Sequence, residues 1–106
     1  MKRRVVVTGF GVVSPVGIGI DEVWESLING RSGAGPITHF DASNYACRIA
    51  AEVKNLDPHL DPSDKELSRC DPFVRFALVA AKLALEHSGL ELDKEDLDRF
   101  GSIVGS

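Results

Sequence analysis

Arg4-Val5-Val6-Val7-Thr8-Gly9-Phe10-Gly11 is the stretch from which the fold class follows. Val5 to Thr8 form a β-branched run closed by a glycine, and such a run reads as a short strand buried on both faces. A strand of that kind belongs to an α/β protein whose sheet is covered by helices. From Gly9 to Gly19 four glycines and Pro15 predict a loop. A helix follows, with Asp21 as N-cap and Glu22 and Glu25 placed to favour the positive end of its dipole. Val23, Trp24, Leu27 and Ile28 give that helix one apolar face for burial, and Asn29-Gly30 gives it a left-handed stop.

Further along, Ser32 to Tyr45 is rich in Gly, Ser and Asp and is expected to be irregular. Ile49-Ala50-Ala51-Glu52-Val53 fits a short strand. Asn55 to Asp64 carries two prolines and repeated aspartates, which predicts an exposed connection. The plainest element comes next. Asp71 is an N-cap with Pro72 at the first helical position, and Phe73 to His87 is a helix stopped by Ser88-Gly89. Phe73, Phe76, Ala77, Ala80, Ala81, Ala84 and Leu85 surround much of it, so it is expected to be largely buried, with its alanines admitting another backbone at close range. Asp93 to Arg99 reads as a short acidic helix and Gly101 to Gly105 as the start of a second strand.

Two strands and two substantial helices cannot enclose a covered parallel sheet, and an apolar pair, Ile103-Val104, is shorter than an ordinary strand of about five or six residues. The expectation is therefore part of a larger α/β protein, with no complete domain boundary inside residues 1–106.

The chain has 106 residues, of which 43% are hydrophobic, and a net charge of −4. The hydrophobic content is that of a globular protein. The acidic balance argues against a nucleic-acid binder, which carries a basic excess. No apolar run reaches the roughly 18 residues of a membrane span, and the glycines from Gly9 onward interrupt any signal-peptide core. Cys47 and Cys70 lie far apart and make no disulfide framework, so reduced thiols in a cytoplasmic setting are expected.

The motifs that invite chemistry are weak when weighed one by one. Gly9-Phe10-Gly11 after a strand opens like a dinucleotide-binding loop, but Ser14 stands where the third glycine belongs and Pro15 follows it. A tight strand exit with positive backbone dihedrals accounts for these glycines better. Asp57, Asp61, Asp64 and Glu66 lack the glycine and distal glutamate of a calcium loop, which leaves a solvated loop. His39, His59 and His87, taken with the two cysteines, show no zinc-ligand spacing. An activated thiolate needs a base or a helix N-terminus beside it. Cys47 has no base nearby and Cys70 is followed by the Asp71 carboxylate, so both read as packing residues. No cofactor, metal or catalytic residue is assigned.

Taken together, the string is more specific than its parts. RRVVVTGFGVVSPVG, Trp24-Glu25-Ser26-Leu27 with Gly30-Arg31-Ser32-Gly33, and Ile37-Thr38-His39-Phe40-Asp41 occur in order. Ala50-Ala51-Glu52-Val53, Asp71-Pro72-Phe73-Val74, AAKLALEHSGL and GSIVGS continue the series to the last residue. The whole chain resembles the start of the β-ketoacyl-acyl-carrier-protein synthases, most of all the elongation type. The resemblance implies a thiolase-like fold, a mixed sheet flanked by helices, of which this chain holds the N-terminal part. It also implies a homodimer that elongates acyl chains by decarboxylative condensation, with acyl carrier protein and malonyl-acyl-carrier protein as partners. The family's nucleophilic cysteine and two histidines map onto no position of this chain. By position, Lys65 and Arg69 match basic residues with which the elongation synthases dock the acidic carrier. Ser68 stands where a further basic residue is common. A polyketide ketosynthase or its non-catalytic partner subunit, or an interaction module without catalysis, are the alternatives.

Overall fold

The structure, a computed structural model, describes residues 1–60 and 64–105. The glycine-rich stretch after Phe10 is not a structureless loop. It folds into an antiparallel hairpin in which β1 (Val13–Ser14) pairs with β2 (Gly17–Ile18), Val13 opposite Ile18 and Ser14 opposite Gly17. Pro15 and Val16 form the turn, and the Ser14 hydroxyl donates to the Gly17 carbonyl at 3.0 Å.

Helix α1 (Ile20–Ile28) starts two residues earlier than expected, with Gly19 as N-cap and Asp21 inside the first turn. No side chain caps the helix; the Glu22 carboxylate instead reaches back past the cap to accept the Ile18 amide at 2.8 Å, which ties the helix start to β2. Gly30, at φ 62°, makes the expected left-handed stop. The face expected to be buried is the wrong one: Trp24, Leu27 and Ile28 are exposed, while Ser26 is buried and Val23 half-buried. The apolar spacing is helical, but the described residues place no partner against that stripe.

β3 (Ala34–Pro36) lies within the stretch read as irregular and pairs antiparallel with β4 (Ile49–Ala51). Gly35 and Pro36 are poor strand residues, so long-range pairing, not propensity, makes this strand. Both ladders are antiparallel hairpins, and no parallel pair occurs among the described residues.

Helix α2 (Pro72–Ser88) is the spine. Asp71 is its N-cap in extended conformation, although its carboxylate makes no capping bond, and Gly89 closes it in the left-handed region at φ 68°. One face carries the core, in which Val79 packs with Ile18 and Leu56, ringed by Val13, Val53, Leu60, Phe76 and Leu83. The other face, with Phe73, Leu78 and Leu85, is exposed, so the helix is half-covered and not largely buried.

The Arg4–Thr8 strand is not formed. Val5 and Val7 are 92% and 82% exposed; a strand is made by a neighbour's hydrogen bonds, and no such neighbour occurs among the described residues. The segment instead runs onto α2 at Gly9 and Gly11. A Cβ at Gly9 would lie 2.6 Å from both the Ala84 carbonyl oxygen and the Ser88 amide nitrogen, and one at Gly11 would overlap the Ala80 carbonyl oxygen. Neither glycine has a positive φ. Close approach, not a strained strand exit, explains them, and the small residues of α2 admit a second backbone as their spacing predicts.

The acidic segment after α2 forms two separate 3-10 turns, Leu92–Lys94 and Leu97–Arg99, and Gly101 to Gly105 forms no strand. Asp96 breaks the expected helix by turning its carboxylate to the Asp98 amide, a local bond that competes with helix. The accessible surface is 9017 Å², against about 5,800 Å² for a compact folded chain of this size.

Candidate functional site

The connection from Asn55 to α2 carries the residues singled out for docking. It is not wholly exposed, because Leu56 is buried in the core and Leu60 is half-buried. A 3-10 turn spans Asp57–His59 and another Leu67–Arg69. The acidic residues here do not converge: Asp57 is exposed, and Asp64 turns its carboxylate to the amides of Glu66 (2.9 Å) and Leu67 (3.4 Å). Asp61 lies outside the described residues.

Lys65 and Arg69 are both exposed, Lys65 just before the second turn and Arg69 as its last residue. The turn is tightened from within, since the Arg69 amide donates to the Glu66 carbonyl at 3.0 Å and the Ser68 hydroxyl to the Lys65 carbonyl at 2.8 Å. Ser68 thus braces the main chain beneath the cations instead of adding charge. Among the described residues neither Lys65 nor Arg69 is in an ion pair. The segment presents two cations to solvent, with the exposed carboxylates of Asp64 and Glu66 beside them.

Arg75 is a residue the sequence reading passed over, a lone cation in the apolar run Phe73 to Ala81. It sits in the first turn of α2 with Nη1 3.8 Å from Oδ1 of Asp57, and its buried Nε has no hydrogen-bond partner among the described residues. A cleft of about 360 Å³ opens beside it, lined among others by His39, Asn55, Asp57 and Phe76. A second cleft, of about 440 Å³, lies where the N-terminal segment meets α2, between Phe10, Asp21, Leu83 and His87. There the Phe10 amide donates to His87 Nδ1 at 3.2 Å and the two rings meet edge to face.

Neither cysteine has a nucleophile's surroundings. Cys47 is exposed, so it is not a packing residue, and its thiol points at the Ile49 carbonyl at 3.5 Å. Cys70 is half-buried with its thiol on the Glu66 carbonyl at 3.4 Å. His39, His59 and His87 stay apart, and no three His, Cys, Asp or Glu among the described residues gather to hold a metal ion. No described helix is long and apolar enough to cross a membrane.

The best-satisfied carboxylate is Glu52, just past β4. It accepts from the Thr38 amide (3.0 Å), the Thr38 hydroxyl (2.7 Å) and the His39 amide (3.3 Å). The Thr38 bonds, joined by those of His39, hold its carboxyl below the ordinary range. This pins the excursion between β3 and β4, whose tip carries the exposed pair Phe40 and Tyr45.

Residues 2–106 match the model of the beta-ketoacyl synthase N-terminal domain. The chain belongs to this family. It is 48% identical over 105 residues to a 3-oxoacyl-[acyl-carrier-protein] synthase 2 of Coxiella burnetii, covering 99% of this chain and 25% of that protein. A Streptomyces halstedii protein provisionally named polyketide beta-ketoacyl synthase 1 is 44% identical over 107 residues, again over 25% of its length. Among solved structures, the ishigamide ketosynthase/chain length factor superposes with a TM-score of 0.75 at 36% identity, over 88% of this chain and 23% of that one. The chain spans about a quarter of the length of the curated relatives it matches. As a ketosynthase N-terminal segment it forms a small mixed α/β unit.

Proposed function

We propose that residues 1–106 are the N-terminal portion of the N-terminal half of a 3-oxoacyl-acyl-carrier-protein synthase with a thiolase-like fold. The observation that carries this reading is the family match over residues 2–106, joined to 48% identity with a synthase of that name. The surface agrees with it. An accessible area about 3,000 Å² above that of a compact chain of this length, with Val5 to Val7, Trp24 and Phe73 among the exposed side chains, is what a segment built to pack within a larger fold presents.

In the proposed reaction an acyl group passes from carrier protein to a cysteine thiolate, with the carrier's thiol as leaving group. Malonyl-carrier protein loses carbon dioxide, and the resulting carbanion attacks the enzyme thioester, expelling the thiolate and leaving a 3-oxoacyl-carrier protein. The thiolate needs a helix N-terminus or a cation beside it, and the developing oxyanion needs aimed donors. Cys47 has neither, and Cys70, although it directly precedes the N-cap of α2, turns its thiol to the Glu66 carbonyl and is followed by the Asp71 carboxylate, which supports placing the reacting groups in chain outside residues 1–106. The role of this segment is then structural support and carrier docking through Lys65 and Arg69, in a cytoplasmic homodimer.

A second reading, a ketosynthase or its partner subunit in polyketide assembly, is favoured by the likeness to the ketosynthase/chain length factor structure. The deciding experiment gives the full-length protein acyl- and malonyl-carrier protein of fatty acid synthesis. Formation of 3-oxoacyl-carrier protein with carbon dioxide release supports the elongation synthase. Binding without condensation points to the partner subunit. Intact-mass detection of an acyl adduct on Cys47 or Cys70 would overturn the assignment of the chemistry to other residues.

A further inference from the structure

The connection between the core and α2 is held at both ends by one residue. It leaves the core after Leu56 and returns at Asp71, the N-cap of α2. At the returning end the Asp71 carbonyl accepts the amides of Val74 (3.0 Å) and Arg75 (3.3 Å). At the leaving end the Asp57 carboxylate faces the Arg75 guanidinium at 3.8 Å. Asn55, at φ 58° the one non-glycine residue with positive φ among the described residues, turns the chain two positions earlier. Main chain and side chain of Arg75 thus meet the two ends of a loop whose far part carries Lys65 and Arg69.

The electrostatics around Arg75 fit a clamp better than a ligand site. Its side chain is 28% exposed and its Nε is buried without a partner among the described residues, whereas the Asp57 side chain is 89% exposed. Asp57 is the one carboxylate within 4 Å of this side chain among the described residues, and it meets Nη1. Among the described residues no other carboxylate lines the cleft; His39 and Asn55 are its remaining polar side chains.

We infer that Arg75 is a positioning residue: by pairing with Asp57 it ties the Asp57–His59 turn to the start of α2 and holds Lys65 and Arg69 in place for an acidic partner. This rests on the docking role proposed for those two cations. The opposing possibility is that Arg75 adds its own charge to the docking face, and the two differ in sign. If charge alone mattered, removing Asp57 would help an acidic carrier bind and removing Arg75 would hinder it. If the pair is a clamp, removing either member hinders binding, and removing both costs no more than removing one.

The test is a double-mutant cycle in the full-length protein with Arg75→Gln, Asp57→Asn and the pair together, assayed on carrier-bound and on small thioester substrates. Each single change is expected to raise KM for the carrier-bound substrate about two- to fivefold, as for an exposed ion pair. The double variant should match the singles, with kcat and the small-thioester rate as the control that stays constant. A lowered KM in Asp57→Asn, additive losses in the double variant, or equal losses on both substrates would each overturn the clamp. No change in either single variant, beside a raised KM in Lys65→Glu/Arg69→Glu, removes the clamp and leaves docking standing. An unchanged KM in that charge reversal removes the docking reading and the clamp together.

Discussion

Gly11 lies so close to Ala80 that a Cβ built on the glycine would overlap the alanine's carbonyl oxygen. Four residues along α2 the same backbone comes within 2.7 Å of that Cβ position at the Ala84 nitrogen, and Gly9 repeats the approach at Ala84 and Ser88. Glycines at alternate positions of the extended segment thus face small residues one helical turn apart. This registers the N-terminal segment on the helix although no sheet hydrogen bond holds it.

Gly11→Ala should therefore destabilise the protein, because the atom it meets is helix backbone and cannot rotate away. An overpacked site of this kind costs about 1–3 kcal/mol. Gly35→Ala is the matched control, since Gly35 has open space around its Cβ position, and it should be neutral. Thermal or denaturant unfolding of the two variants side by side checks the claim. Equal stability would show that the close approach is not maintained.

What could be read from residues alone divides along local and non-local lines. Helix α2 was legible from Asp71-Pro72 at one end and Gly89 at the other, signals that act within a turn. The stops at Gly30 and Gly89 were legible for the same reason. The Arg4–Thr8 strand was not, because β-branched residues state a preference that only a neighbouring strand can realise. β3 was missed from the opposite side, its Gly35 and Pro36 concealing a partner 13 to 17 residues away. Trp24, Leu27 and Ile28 have the right helical spacing, yet spacing does not say whether a covering layer is at hand. For the candidate site, the resemblance singled out Lys65 and Arg69, while Arg75 was hidden inside an apolar pattern that gave no reason to look for an ion pair.

Glu52 sets the acid limit of the β3–β4 excursion. Its side chain is 9% exposed and its hydrogen bonds to Thr38 and His39 favour the charged form, so its folded pKa lies below the ordinary 4.5. A depressed folded pKa contributes stability above the unfolded value and loses it as pH falls through the folded one. The amides of Thr38 and His39 should stay protected at pH 5 and above and lose protection at more acidic pH. Glu52→Gln should show reduced protection already at neutral pH, with no acid step. Hydrogen exchange followed by NMR measures both, and an acid step that persists in the glutamine variant would assign it to another group.

Studied alone, the 106-residue chain should not behave as a compact monomer. Its radius of gyration is 17.2 Å, against about 13 Å for a globular chain of this length. The buried apolar residues among those described are Ile18, Ala42, Leu56 and Val79. Exposed apolar surface of this extent, with an unpaired β-prone segment at Val5 to Val7, favours association. Sedimentation should show self-association, and thermal scans a broad transition. A monomer with a sharp two-state melt would mean that the chain completes its own core.

The docking face gives the last prediction. Lys65 precedes the 3-10 turn that ends on Arg69, and the carboxylate of Asp64 accepts main-chain amides within the same segment. Glu66 tempers the patch without cancelling it. Exposed charges of this kind act through encounter and are screened over roughly 8–10 Å at ordinary salt. In the full-length protein, Lys65→Glu/Arg69→Glu should raise KM for an acyl-carrier substrate about tenfold at low salt, at somewhat over 1 kcal/mol for two reversed surface charges. Added salt should weaken the wild type but not the variant, in which it screens repulsion in place of attraction. Ser68→Arg should act in the opposite direction, adding a cation to the same turn at the loss of its bond to the Lys65 carbonyl. Turnover of a small thioester reports on the fold and the chemistry without the carrier. If it fell as far as carrier-dependent turnover, these side chains would be supporting the structure and not receiving a partner.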